Sequence, residues 1–563
     1  MTETPLPNQP PPFEGRNLFR IDTALREAVA REAPFAEGAI DAWGGWLGSA
    51  EAYSLADDAN RNAPRLIAWD RRGERVDRVE FHPAWHELMR RAMAEGEHAS
   101  PWSEPRPGAH VARAAKYYLH AQVENGTQCP LTMTFAAAPV LARHGVESPP
   151  VRRHGTESLP ATLLAKVGES DYDPRERPFA SKRSALVGMG MTERQGGSDV
   201  RSNTTRAEPL ADGTWSITGH KWFFSAPQCD AHLVLAQTGA GLACFLLPRL
   251  LPDGSRNAIR INRLKDKLGN RSNASAEVEF DRALGWPLGE PGRGIATILE
   301  MVGFTRLDCV IGSAGIMRAA LTWAMHHARH RVAFGATLVD QPLMRAVLAD
   351  LALESEAALA LALRLARGVD DATGDAAGDA TEAAMRAASR VIAPAAKFWV
   401  CKRAIAVTAE AMEVLGGNGY IEETPLARFY REAPVNSIWE GSGNVVCLDV
   451  VRALAREPEA ADALLGELRE PHGTNRDYDA HVETLALMLQ RASDDPAGAR
   501  KLAQAIALAI SASELVRHAP AYVAEAFCAS RLGEASRAGA IFGTSSRPVA
   551  ATYEERIVGR ALS

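Results

Sequence analysis

"GTWSITGHKWFFSA", Gly213 to Ala226, is the stretch on which the fold turns. Its β-branched and aromatic residues alternate with polar ones between turn-forming residues, a period of two rather than of three or four. The same texture recurs in "AHLVLAQ" from Ala231, "LACFLLP" from Leu242 and "AEVEF" from Ala276, each set off by Gly, Asp, Pro or Asn. These runs predict antiparallel strands and a β domain over residues 184–290.

Outward from that domain the period changes. "NLFRIDTALREAVAREA" and "FHPAWHELMRRAMAEGEH" space apolar residues by three and four, so residues 15–145 read as mostly helical. The proline- and charge-rich text of 147–182 reads as connecting chain. Beyond the strands, "GEPGRGIATILEM" opens a helix that runs on through "IGSAGIMRAALTWAMHHARHRVAFG". Two further long helices are expected over 342–368 and 380–415, the second ending at "LGGNG", where glycine supplies a C-cap. Their Ala/Leu repetition suits the close packing of a four-helix bundle, and "GVDDATGDAAGDA" between them reads as a flexible acidic connection. From 453 onward lies another Ala-rich helical region that the bundle does not require. The expectation is an α+β multidomain chain: an N-terminal helical domain over 1–183, the β domain over 184–290, the helical bundle over 291–452 and an additional C-terminal helical domain over 453–563.

Length and composition agree, since 563 residues exceed a single core and 46% hydrophobic with 23% charged residues is ordinary globular usage. A net charge of -6 gives no whole-chain attraction to nucleic acid or an anionic membrane. The start "MTETPLPNQPPPFEGRN" is acidic and proline-rich, unlike a signal peptide, and no apolar run is long enough to span a bilayer, so a cytoplasmic location with no membrane association is expected. The seven cysteines include no CxxC pair, which argues against a disulfide framework or zinc site. In "HHARH" His326 and His330 share a helix face, but no HExxH pattern accompanies them and arginines crowd the spot; the reading is a solvated basic face, with no metal.

Three motifs carry chemistry. In "MTERQGGSD", Met191 to Asp199, backbone amides and the hydroxyls of Thr192 and Ser198 can donate to a flat polar ring on whose face Met191 packs. A tricyclic flavin fits, whereas "GMGMTE" lacks the third glycine and the strand–turn–helix setting of a dinucleotide fold. Phe223 and Ser225 alternate on a strand and so share a side. In "FYREAPVNSIWEGSGNVVCLDV" Glu440 lies between Ile438 and Trp439 on one side and "GSGN" on the other; apolar neighbours there would raise a carboxylate toward the range of a general base, while Ser442, Asn444 and glycine amides can receive a phosphate. In "RHRVAFGATLVDQPLM" Arg331 can pair with a pyrophosphate, near Phe334 and Gln341. Each residue alone also reads as a core aromatic, a turn former or a salt-bridged corner. Their joint occurrence is what points to a flavin site.

Together "MTERQGGSD", "GHKWFFSA", "RVAFG…DQPLM" and "LGGNGYIEETPLARFYREAPVNSIWEGSGN" resemble the flavoprotein acyl-CoA dehydrogenase superfamily. "NSIWEGSGN", "NQPPPFEGRNLFRID" and the extra C-terminal segment look like its AidB-type branch, linked to the response to alkylating agents. The resemblance covers nearly the whole chain and implies the acyl-CoA dehydrogenase fold with FAD as cofactor. It places Met191, Thr192, Ser198, Phe223 and Ser225 beside the isoalloxazine. Arg331, Phe334 and Gln341 match positions that meet the adenine and pyrophosphate, often from a neighbouring subunit; Gly416, Gly417, Ser442 and Asn444 match the remaining pyrophosphate contacts, with Ile438 and Trp439 also beside the cofactor. Glu440 matches the catalytic base and Arg306, in "GFTRLD", a substrate-side arginine. The implied reaction is α,β-dehydrogenation of an acyl-CoA thioester: Glu440 removes the α proton as hydride passes to flavin N5, and donors including the Glu440 amide polarise the thioester oxygen. A homotetramer, and an electron-transfer flavoprotein or oxygen as electron acceptor, are implied with it.

Two departures bear on activity. The flavin strand reads Phe223-Phe224-Ser225 where Trp-Ile-Thr is usual, and Trp439 replaces a smaller ring, which would disfavour long acyl chains and favour short or branched ones. The alternative is a flavin-containing protein that binds duplex DNA and protects it from alkylation with little dehydrogenase activity. Against it, residues 453–563 hold 12 Lys and Arg and 15 Asp and Glu, an acidic balance where duplex binding needs clustered positive charge. Only Arg491, Arg500, Lys501 and Arg517 offer a local basic stripe.

Overall fold

The computed structural model describes residues 8–145, 158–373, 379–492, 495–533, 541–544 and 551–561. The chain forms two compact units, one of Met1–Ala50, Arg106–Val123 and Arg306–Ser563, the other of Glu51–Pro105 and Glu124–Thr305.

The second unit contains the predicted strands. A hairpin, β1 (Arg65–Trp69) with β2 (Arg75–Glu80), precedes β3 (Val187–Gly190), β4 (Arg206–Pro209), β5 (Trp215–Ser225), β6 (Ala231–Thr238), β7 (Gly241–Pro248), β8 (Ile259–Leu264) and β9 (Ser275–Leu288). The last seven form one sheet in the order β3-β5-β4-β6-β7-β9-β8, and an added β5–β9 pairing closes it on itself. Ile217, Phe224, Val234, Phe245, Val278 and Phe280 fill its interior, a register shift between Lys221 and Phe224 bringing Phe224 to the same side of β5 as Ile217. Residues 15–145 are mostly helical as read, but the β1–β2 hairpin interrupts them and was not anticipated. Its strands, "RLIAW" and "RVDRVE", carry charge on the exposed side that hides their alternation. Asp70 turns the chain between them by accepting from the amides of Arg72 and Glu74, and Gly73 takes the left-handed conformation, φ 80°.

The first unit is helical. The helices Pro342–Thr373 and Asp379–Val414 pack along Ala- and Leu-rich faces, on which Leu361, Ala362, Val391, Ala395 and Ala404 have no exposed surface. The first runs five residues past its expected end into the acidic connection, of which residues 374–378 lie outside the described ones. Small residues let backbones approach: a Cβ at Gly315, in the helix Gly294–His330, would sit 2.6 Å from the Tyr118 carbonyl of the helix Ala109–Ala121. A buried bidentate pair, Arg113 with Asp308, joins the same two helices. The C-terminal helices Glu459–Arg469, Arg476–Gln490, Ala499–His518, Ala521–Arg531 and Ala551–Arg560 follow Gly443–Arg456, which itself runs across residue 453. They are fastened by buried charge: Arg531 joins Arg403 on Glu354, and Arg364 pairs with Glu467. Among the described residues no helix is long and apolar enough to cross a membrane, no group of three or more His, Cys, Asp or Glu could hold a metal, and all seven cysteines are free and buried.

Candidate active site

In the β unit the two glycine-bearing motifs meet by strand pairing. Gly190 lies opposite Phe224 and Met189 opposite Ser225, and just beyond β3 the Trp222 amide donates to the Thr192 carbonyl at 2.8 Å. Gly197 is required by the turn, because a Cβ there would lie 2.3 Å from the Thr192 hydroxyl. Phe224 is the core aromatic, stacked on His232 with centroids 4.1 Å apart. The pleat therefore turns Phe223 outward, 47% exposed. Met191, Thr192 and Ser225 are half-buried and Ser198 is exposed. An open aromatic ring beside hydroxyls and glycine amides is a donor set that fits a flat, polar heteroaromatic group.

What holds this turn in place was not evident from the motif. Glu193 and Lys221 form an ion pair of 2.8 Å with neither side chain exposed. Glu193 also accepts from the Thr204 amide and hydroxyl, the Thr205 amide and the Gln195 side chain, while Lys221 donates to the Leu235 carbonyl at 2.9 Å. Burial alone would raise the Glu193 carboxyl, but the Lys221 ammonium and these donors hold it below the usual carboxylate range. Burial pushes Lys221 down to about 8 against the pull of Glu193, leaving it charged at neutral pH. The available signal was parity: Lys221 shares the inward parity of Ile217, and a lysine facing a core needs a carboxylate there.

In the helical unit Glu440 occupies the turn between the helices Leu426–Asn436 and Gly443–Arg456. Its φ is 57°, uncommon for a residue with a side chain and costing about 1–3 kcal/mol. Two cations hold that conformation by its carbonyls. Arg306 Nε donates to the Glu440 carbonyl at 2.9 Å, and Lys397 Nζ to the Gly441 carbonyl at 2.8 Å. Arg306 Nη2 is further committed to Asp449 at 2.7 Å, so in this unit its guanidinium orients the Glu440 turn. The Trp439 indole donates to Asn436, which in turn donates to Ser313. Ile438, in contrast to the apolar shielding expected of it, is 63% exposed.

The remaining predicted residues fall at two corners. Arg331, just past the end of the helix Gly294–His330, donates to the Asn8 carbonyl at 2.7 Å. Gln341 donates to the Ala333 carbonyl, and Phe334 stands at φ 52° with its ring in solvent. At the other corner Gly416 takes φ 60° beyond the end of the helix Asp379–Val414, where neither it nor Gly417 has a neighbour that a Cβ would meet. Ser442 is the N-cap of Gly443–Arg456 and keeps its hydroxyl out of the cap. Asn444 accepts from Arg500 of the C-terminal region at 2.8 Å, a cation that the motif did not reveal beside this helix N-terminus. Of the other candidate duplex contacts, Arg517 is paired with Glu470. In "HHARH" His326 and His327 are buried rather than solvated.

Three family models match: the adaptive response protein AidB N-terminal domain over residues 8–174, the acyl-CoA dehydrogenase middle domain over 188–283 and the acyl-CoA dehydrogenase C-terminal domain over 292–455. The chain is 49% identical over 526 residues to the putative acyl-CoA dehydrogenase AidB of Escherichia coli, covering 92% of this chain and 93% of that one. It is 29% identical over 542 residues to acyl-CoA dehydrogenase family member 11 of Caenorhabditis elegans, covering 89% and 84%. The solved structure of Caenorhabditis elegans ACDH-11 in complex with C11-CoA superposes with a TM-score of 0.81 at 26% identity, covering 100% of this chain and 93% of that one. Domain matches in sequence order, a relative of this identity across the full fold, and the Glu440 turn together show that the chain belongs to the AidB-type branch of the acyl-CoA dehydrogenase superfamily.

Proposed function

We propose that the protein is an FAD-dependent dehydrogenase that removes the α and β hydrogens of a short or branched acyl-CoA thioester. The observation that carries this reading is the Glu440 turn, in which a carboxylate-bearing residue is kept in a left-handed conformation by Arg306 and Lys397. Such conformations cluster at functional sites, and here two cations hold it in place. In the proposed roles, Met191, Thr192, Ser198, Phe223 and Ser225 hold the isoalloxazine of FAD, and Gly416, Gly417, Ile438, Trp439, Ser442 and Asn444 hold the rest of the cofactor. Arg331, Phe334 and Gln341 serve the FAD of a neighbouring copy in a homotetramer; a fully exposed Phe334 at positive φ suits a ring meant to be covered by another chain. When bound, FAD supplies the two-electron acceptor for the β hydride. Glu440 takes the α proton onto its carboxylate, and the clamp by Arg306 and Lys397 keeps that carboxylate oriented without a search at the moment of transfer.

Chain length is set by Trp439. The indole is pinned through Asn436 to Ser313 and so cannot readily swing aside. The nematode relative is named as a C11-CoA complex, which makes undecanoyl-CoA the informative long comparison. The experiment is anaerobic mixing of FAD-loaded protein with butyryl-CoA, isovaleryl-CoA and undecanoyl-CoA, following loss of the flavin absorbance. Rapid bleaching by one of the two short thioesters is expected. Bleaching by none of the three, or by the long one alone, would overturn the reading.

A further inference from the structure

The basic face of "HHARH" lines a cavity of about 180 Å³ in the helical unit, to which Arg16, Arg318, His326, Arg329 and His330 all contribute. Its charges do not cancel. Arg318 is buried and satisfied, donating to the Ile21 carbonyl and paired with Asp22 at 3.2 Å. Asp22 is further engaged by the Tyr118 hydroxyl at 2.9 Å. His326 donates from Nε2 to the Pro11 carbonyl at 2.7 Å, which leaves Nδ1 to accept from Arg16 at 3.3 Å and makes the ring neutral. Burial lowers its proton affinity further, against the pull of Glu14. Glu14 is half-buried and makes no ion pair with Arg16 or Arg329.

Two guanidiniums remain, therefore, with no carboxylate partner among the described residues. Arg16 donates to the His326 ring and lies 5.5 Å over the Phe13 ring, neither of which neutralises its charge, and Arg329 makes no hydrogen bond or ion pair there. His330 spends Nδ1 on the His326 carbonyl at 2.8 Å and keeps Nε2 available. Arg329 stands at the open rim of the cavity, exposed on its outer side; partial burial of its guanidinium and then the nearby Arg16 charge disfavour it as a cation. A guanidinium fork matches the oxygens of a tetrahedral dianion, and His330, whose Nδ1 already donates to a carbonyl, adds a third donor from Nε2 in its imidazolium form. A metal is the wrong occupant of a cavity lined by cations.

We propose that this cavity is an anion site that binds the phosphate group of a small phosphorylated ligand, gripped by Arg16, Arg329 and His330. The proposal stands apart from the flavin reading, because none of these residues has a role in it.

The test is isothermal titration of the full-length protein with inorganic phosphate and, separately, with glycerol 3-phosphate, at constant ionic strength in a chloride buffer. Binding of either is expected, and comparison of the two tells a free ion from a phosphomonoester. Arg329→Ala should weaken it about tenfold, the loss of one charge-assisted hydrogen-bonded pair, and Arg329→Lys should recover part of that loss. Arg329 is exposed, so folding should be unaffected, and thioester-driven flavin bleaching should be unchanged in both variants. No heat with either phosphate, binding equally displaced by chloride, or an affinity that Arg329→Ala and Arg16→Ala leave untouched would overturn the assignment.

Discussion

Lys221→Met isolates the ion pair that holds the cofactor turn. The variant leaves Glu193 with the Thr204, Thr205 and Gln195 donors but removes the ammonium 2.8 Å away, in a place where neither side chain meets water. Breaking one side of a buried pair costs about 3–5 kcal/mol, and the Leu235 carbonyl loses its lysine donor as well. For a domain of this size that is a fall of roughly 10 °C or more in the melting temperature of the β unit. The double variant Glu193→Leu, Lys221→Met removes both charges. It should recover the part of the loss that comes from an unpaired buried charge, but not the part that comes from leaving the Thr204 and Thr205 amides and the Leu235 carbonyl without these partners. Guanidinium unfolding of the four proteins, followed by tryptophan fluorescence, gives the cycle directly. FAD affinity should fall with Lys221→Met, since the turn from Met191 to Ser198 hangs on Glu193. A single variant within about 1 kcal/mol of the parent, or a double variant as unstable as the sum of the singles, would refute the reasoning.

Three further outcomes follow from the same geometry. Arg306→Lys cannot serve both the Glu440 carbonyl and Asp449, so turnover should drop about 10- to 100-fold with the flavin-to-protein ratio unchanged, measured by steady-state kinetics and absorbance. Trp439→Ala should raise the undecanoyl-CoA to butyryl-CoA ratio of kcat/KM about tenfold. Glu193 has a folded-state proton affinity below its ordinary value of 4.5, so its stabilising contribution is complete above that pH and is lost as the pH falls below it; acid titration of Glu193→Gln should lack that component.

Much of this architecture was legible because period is a local property. The change from three-and-four spacing to two at about residue 184 marks the strands, and the end of the helix at Val414 is announced by the glycines after it. The β1–β2 hairpin was not legible, because its exposed face is charged and its strands are short. The site was visible as side chains and not as supports. Thr192, Phe223 and Glu440 carry recognisable chemistry, but the Glu193–Lys221 pair depends on strand register, and Arg306 and Lys397 act on backbone carbonyls from two other helices, Gly294–His330 and Asp379–Val414. "HHARH" shows the same limit in reverse: its charge was plain, but whether a histidine faces solvent or a cavity is decided by the N-terminal segment that covers it.

The most direct test of the account is Glu440→Gln, which keeps the shape and the clamped backbone and removes only the proton acceptor. Mixed anaerobically with the thioester that bleaches the parent, the variant should remain yellow, with FAD content unchanged and the bleaching rate lower by about 10²–10⁴-fold. A variant that bleaches at the parental rate would contradict the assignment of Glu440 as base.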